Sequence, residues 1–506
     1  MFFSTKADIS ICKITFATEM KIFAQLFVIF VFCGTSSYSQ ETQNPLFEFR
    51  GVWVATVNNI DWPSAKNLTI EQQKEEFIKL ADLQKKIGMN VLIVQVRPAA
   101  DAFFPSSYEP WSEFLTGKQG QPPTPFYDPL VFMINETHKR GMEFHAWLNP
   151  YRAVFKIGSS SIEKNHITQQ KKEWFLTYGD KKYFNPALQE VRNYFVKIVI
   201  DIINRYDVDG IHIDDYFYPY KISGKEFPDL KFYKKYGKGL SKDDWRRSNC
   251  DSIVKQLWEA INNAPRRVKF GISPFGVWRN IENDKLGSNT KAGQTNYDDL
   301  YANILLWLKR GWMDYCVPQL YWERGHNLCD YDTLLNWWAN NSFNRQMYIG
   351  HGLYKAGTTK GYSNLNELPN EIINLRKQSN IQGSVYFSSS NFYKNINGWK
   401  DSLQLNYYST PAIVPPMSWI NNTKPLPPDI LEKEYKVYTL KNINKMPIKG
   451  YALFVGFDKK TAICKKIFGS FESDINIEDY KTDFFSRLFI ASISTYNNIS
   501  DLVELK

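Results

Sequence analysis

Cysteine is scarce in this chain of 506 residues. Cys12 and Cys33 fall in the N-terminal leader, and Cys250, Cys316, Cys329 and Cys464 are scattered with no CxxC or Cys/His spacing. That excludes a disulfide scaffold and a structural zinc site. The six histidines (His138, His145, His166, His212, His326 and His351) never pair at ligand spacing, and no HxH opens an early strand; no metal and no cofactor are expected. A Gly-rich phosphate or dinucleotide loop is missing, as is a GxSxG elbow, which removes nucleotide-binding and serine-nucleophile chemistry. Arg-rich runs are absent too, and the net charge of +10 comes from dispersed Lys. This pattern fits an acidic polymer or mere solubility better than specific nucleic-acid binding.

What is present begins with a leader. From Met20, Lys21 precedes the apolar stretch Ile22 to Cys33, followed by small and polar residues to Gln40. The spacing predicts an export signal over residues 1–39, with Met20 the expected true start, and hence a periplasmic, envelope or extracellular location. The stretch is too short to cross a bilayer comfortably, so no stable membrane span is expected after cleavage. The next division is a barrel over 40–410, then a Pro-rich linker over 411–428 and a small β-rich domain over 429–506 with a fibronectin type III-like sandwich expected. A monomer is expected.

Strand-like and helix-like windows alternate from Arg50 onward. Strands are predicted over 51–57, 91–96, 143–148, 210–214, 268–273, 314–321, 347–350 and 383–387, separated by amphipathic helices such as 70–87, which closes on Gly88. Eight such rounds predict an α/β fold, a (β/α)8 TIM barrel, rather than an open sheet. Segments leaving the strand C-termini are long (98–127, 150–186, 216–241 and 274–297). The working end is therefore expected there, with a cleft for an extended ligand.

Acidic residues end two of these strands. Asp214 and Asp215 follow Gly210-Ile211-His212-Ile213, and Glu323 follows Val317-Pro318-Gln319-Leu320-Tyr321-Trp322. Period-two alternation puts His212 and Asp214 on one face, and Gln319, Tyr321 and Glu323 on another. Two acids at a barrel mouth suit glycosidic bond cleavage: one protonates the leaving oxygen and the other meets the oxocarbenium centre. The expected catalytic set is Asp214 as nucleophile or base, Glu323 as acid beside apolar Trp322, and Asp215 as an adjacent carboxylate. Polar or aromatic residues recurring near the strand ends form the expected substrate-binding set: Arg97, Asp101, Asn149, Tyr151, His212, Trp278, Arg279, Gln319, Tyr321, Trp322 and His351. The alternatives are a non-catalytic carbohydrate-binding barrel and a metal-dependent deacetylase using His212, Asp214 and Asp215.

Six ordered blocks carry a resemblance. They are Phe49-Arg50-Gly51-Val52-Trp53-Val54-Ala55-Thr56-Val57 with Asn59-Ile60-Asp61-Trp62-Pro63, Val94 to Ala102, His145 to Arg152, Gly210 to Pro219, Gly271 to Arg279, and Pro318 to Glu323. Over about residues 48 to 405 the chain resembles the glycosyl-hydrolase-like family 10 proteins, secreted bacterial barrel enzymes. The resemblance implies glycoside hydrolysis of a polysaccharide, with some relatives linked to peptide-stripped peptidoglycan. Lactyl carboxylates on such a glycan would suit Arg97, Arg152 and Arg279 near the cleft.

Overall fold

A computed structural model describes residues 44–470, 474–480 and 485–505. The expected leader lies outside the described residues. Eight parallel staves form the central sheet: β1 (Phe49–Val54), β2 (Val91–Arg97), β3 (Glu143–Leu148), β4 (Gly210–Ile213), β5 (Lys269–Ile272), β6 (Tyr315–Cys316), β7 (Gln346–Met347 and Ile349–Gly352) and β8 (Gly383–Phe387). The two pieces of β7 terminate the sheet order, one pairing with β6 and the other with β8. Only Tyr348 separates them, so the ring closes through this one interrupted strand. Major helices follow the first seven staves, and short helical turns follow β8.

Local sequence explains the regularity. Thr69 and Gln72 exchange a capping box at the start of helix Ile70–Ile87, and Gly88, at φ 103°, ends it in the left-handed region. Its Phe77, Leu80, Ala81 and Ile87 face the sheet and are buried. Asp128 accepts from Leu130 and Val131 to open helix Pro129–Lys139, with Pro129 in the first turn. The sixth stave is much shorter than the expected 314–321. Its ladder stops at Cys316, and Pro318 has no N–H to continue it, leaving single bridges from Gln319 to Phe275 and Gly350.

Long loops crown the C-terminal ends of the staves, one folding into a small antiparallel sheet of Arg152–Val154, Phe175–Tyr178 and Lys181–Phe184. At the opposite end, the proline-rich stretch is no free spacer. Ile413 pairs with the segment around Phe47, while Val414 and Met417 pack beneath Phe49, Tyr315 and Tyr348. Beyond it, the described residues form a three-stranded and a four-stranded antiparallel sheet. These share a core of Tyr438, Leu440, Leu453, Ile475 and Ile490, among others. The outer face of the larger sheet, including Phe454, Ile467 and Phe489, is buried with Ile413. Among the described residues no helix is long and apolar enough to cross a membrane.

Candidate active site

A cavity of about 400 Å³ opens at the C-terminal ends of the staves. Among the described residues, Asp214 and Asp215 are the only acids lining it. Both are buried, at 4% exposure each. Asp214 turns towards β3, where the Trp147 indole donates to it at 3.1 Å and the Asn149 amide at 3.0 and 3.2 Å. Burial pushes its carboxyl above the ordinary range; the Arg152 guanidinium and those donors pull against this. Asp215 accepts from the Tyr220 hydroxyl. Burial first, and then the Asp214 charge, push its carboxyl up to about 7.

Two carboxyls are thus set apart by their surroundings. Asp214 has donors and a cation that favour its ionised form, while Asp215 keeps its proton near neutrality. Rings wall the cavity: Trp53, Trp147, Tyr216, Tyr220, Phe275, Tyr321, Trp322, Tyr354 and Phe387. Such faces suit the apolar sides of pyranose rings. The cations are Arg152, whose group lies 4.7 Å from the Tyr216 ring centre, and Lys355, whose ammonium donates to the Tyr321 carbonyl.

The expected residues divide sharply. Gln319, Tyr321 and Trp322 line the cavity. Asn149 stands behind Asp214, its Oδ1 also accepting from the Arg152 amide at 2.8 Å. Glu323 does not reach the cavity. Its half-buried side chain lies against Gly361, near Lys355, Tyr362 and Glu367. The expected meeting of Asp214 and Glu323 across one groove is therefore not realised, because the chain leaves strand geometry at Pro318 and the period-two rule lapses.

Several other expected contacts are structural. Arg97 is fully buried in a two-point pair with Glu109 and donates to the Asn149 carbonyl. Asp101 accepts from the Ala99 amide at 3.0 Å, and burial pushes its carboxyl up to about 6. Tyr151 is buried away from the cavity lining. Trp278 stacks on Trp337 with ring centres 5.9 Å apart, and Arg279 pairs with Asp284 and Asp298. His351 is buried between Glu371 and Ser384. His212 lies below the floor, touching Ser273 at 2.9 Å. The expectations did not include Trp53, Gln95, Tyr220, Ser273 or Lys355. Tyr220 comes from a loop and Lys355 from a single 3-10 turn, Leu353–Lys355, neither of which carries a periodic signal.

Residues 48–364 match the family described as Glycosyl hydrolase-like 10. The chain belongs to this family. Both acids and every cavity residue except Phe387 fall inside the matched segment. The chain is 47% identical over 411 residues to "Glycosyl hydrolase YngK" of Bacillus subtilis (strain 168), covering 80% of this chain and 79% of that one. It is 37% identical over 338 residues to "Glycosyl hydrolase DigH" of Escherichia coli (strain K12), covering 63% and 75%. Among solved structures, the catalytic domain of a β-amylase from Paenibacillus polymyxa aligns with a TM-score of 0.46 at 11% identity, covering 72% of this chain and 98% of that one.

Proposed function

We propose that this protein is an exported glycoside hydrolase that cuts a polysaccharide at the cavity around Asp214 and Asp215. The observation that carries the reading is the buried pair itself, two acids held in different ionisation environments inside an aromatic-walled cavity. Asp215 gives its proton to the glycosidic oxygen as the bond to the anomeric carbon breaks. The Asp214 carboxylate meets the positive charge left on the sugar, and water completes the cleavage. This replaces the expected acid, Glu323, by Asp215.

Family membership supports the reaction class. For the substrate, Arg152 and Lys355 at the cavity favour a glycan with acidic substituents, and peptide-stripped peptidoglycan, with its lactyl carboxylates, is the reading that fits. Of the three arginines expected near the cleft, only Arg152 lines the cavity. The C-terminal domain, of fibronectin type III-like kind in this reading, takes no part in the chemistry.

The test is incubation of the full chain with intact and peptide-stripped cell-wall glycan, with and without EDTA, followed by mass spectrometry of the soluble products. Shortened glycan strands regardless of EDTA support the proposal, with release abolished in Asp214→Asn and Asp215→Asn. Acetate release lost on chelation would instead establish a deacetylase; capture of glycan without product would establish a binding barrel.

A further inference from the structure

A column of hydrogen bonds runs down the barrel axis from the cavity floor. Ser273 Oγ, which lines the cavity, is 2.9 Å from His212 Nε2, and the Trp53 indole approaches the same nitrogen at 3.3 Å. His212 Nδ1 is 3.1 Å from the Tyr315 hydroxyl, which is 2.7 Å from His145 Nδ1. His145 Nε2 ends the column 3.0 Å from Glu143. Two glycines make room for it: a Cβ on Gly271 would fall 1.9 Å from the Tyr315 ring, and one on Gly210 2.8 Å from the His145 ring.

Both ends of the column have a fixed polarity. An indole N–H can only donate, so His212 Nε2 accepts. At the other end, burial alone would raise the Glu143 carboxyl, but the Lys269 and Lys449 ammoniums hold it well below its ordinary range. It is an acceptor, and His145 Nε2 must carry a proton. Burial also keeps both imidazoles below their usual range and hence neutral. The middle then follows: His212 Nδ1–H donates to Tyr315, and Tyr315 O–H donates to His145. In the reversed order the indole would face an N–H, and a bare imidazole nitrogen would face the carboxylate. Each conflict costs an unsatisfied buried group.

The Ser273 hydroxyl must therefore point its proton at His212. Gln95 lines the same cavity and is oriented the opposite way. Its Oε1 accepts from the Thr56 amide at 3.2 Å and the Val57 amide at 2.9 Å, and its buried Nε2 has no partner among the described residues. We propose that Ser273 and Gln95 form a specificity subsite of fixed polarity, Ser273 offering only an acceptor and Gln95 only a donor, for a neutral substituent able to accept and donate, such as the amide of an N-acylated sugar. His212 and Tyr315 are positioning residues that act through Ser273. The assignment deepens the hydrolase reading by naming what the floor selects.

Two measurements on the full chain test it separately from catalysis. With selective ¹⁵N-histidine labelling, His212 is expected to be neutral at pH 7 with its proton on Nδ1, and His145 neutral with its proton on Nε2. A proton on His212 Nε2 overturns the polarity argument. Calorimetric binding of a chitin-derived tetramer is expected to exceed that of its de-N-acetylated counterpart by about tenfold or more, the worth of one well-placed hydrogen bond. Ser273→Ala and Gln95→Glu should each bring that ratio towards one, and Ser273→Thr should restore it. An unchanged ratio in both variants overturns the subsite, whereas normal binding ratios without glycan cleavage would overturn only the hydrolase reading.

Discussion

Replacing Asp215 by Asn should stabilise this protein, and the gain should grow with pH. In the folded chain the carboxyl is raised from 3.8 to about 7. A carboxyl raised by folding binds its proton more tightly in the native state, so it favours folding at low pH. That advantage drains away as pH climbs from about 4 to about 7 and is gone above. At about 1.36 kcal/mol per unit, the buried charge costs the wild type about 4 kcal/mol at pH 8, of which about 3 kcal/mol accrues between pH 5 and pH 8. Asparagine can still accept from Tyr220 but carries no charge. Urea unfolding at pH 5 and pH 8, followed by tryptophan fluorescence, should show a smaller loss of stability for Asp215→Asn and a clear excess over wild type at pH 8. If the two proteins lose stability in parallel, or the variant is the weaker at pH 8, Asp215 is not a buried acid held near neutrality. The role proposed for it would fall with that result. The same ionisation predicts that glycan cleavage declines as pH rises through about 7, when the acid loses its proton.

Other substitutions probe the scaffold. Gly271→Ala should destabilise by about 3 kcal/mol or more in thermal unfolding, because the Tyr315 ring fills the space of the new methyl. Arg97→Met should lower stability by about 3 to 5 kcal/mol by stranding Glu109 in the interior. Arg152→Gln should raise KM for an acidic glycan about tenfold, measured by product release.

The barrel was legible because its signals are local and repeated. Capping residues such as Thr69 and Asp128, stops such as Gly88, and buried apolar runs such as Val91 to Val96 each mark their own element. That Asp214 and Asp215 line the cavity was legible for the same reason, since they end a stave at the C-terminal face of the barrel. Glu323 was misplaced because alternation was carried past Pro318, where the ladder had already ended. That Trp322 and Tyr321 both line the cavity shows the lapse directly. Arg97 and His351 looked functional because polar groups near a barrel rim are unusual. Their partners, Glu109 and Glu371, are supplied by the loop and the helix that follow the same staves, and only the fold reveals that they are already satisfied. Ser273 and Gln95 carried no signal of their own, since their significance lies in what fixes their orientation.

The chain beyond residue 428 looks detachable on paper, yet Lys449 and Asn497 reach the innermost carboxylate of the barrel, Glu143. Gly141 and Gly469 let the two backbones approach at this seam. A stop codon after Pro428 would uncover the oily underside around Ile413 and strip that acid of Lys449 and Asn497, leaving it Lys269 as its ammonium and His145 as its imidazole partner. Such a truncated product should clump or be degraded rather than behave as a trimmed catalyst, which makes the appendage the foundation on which the barrel rests.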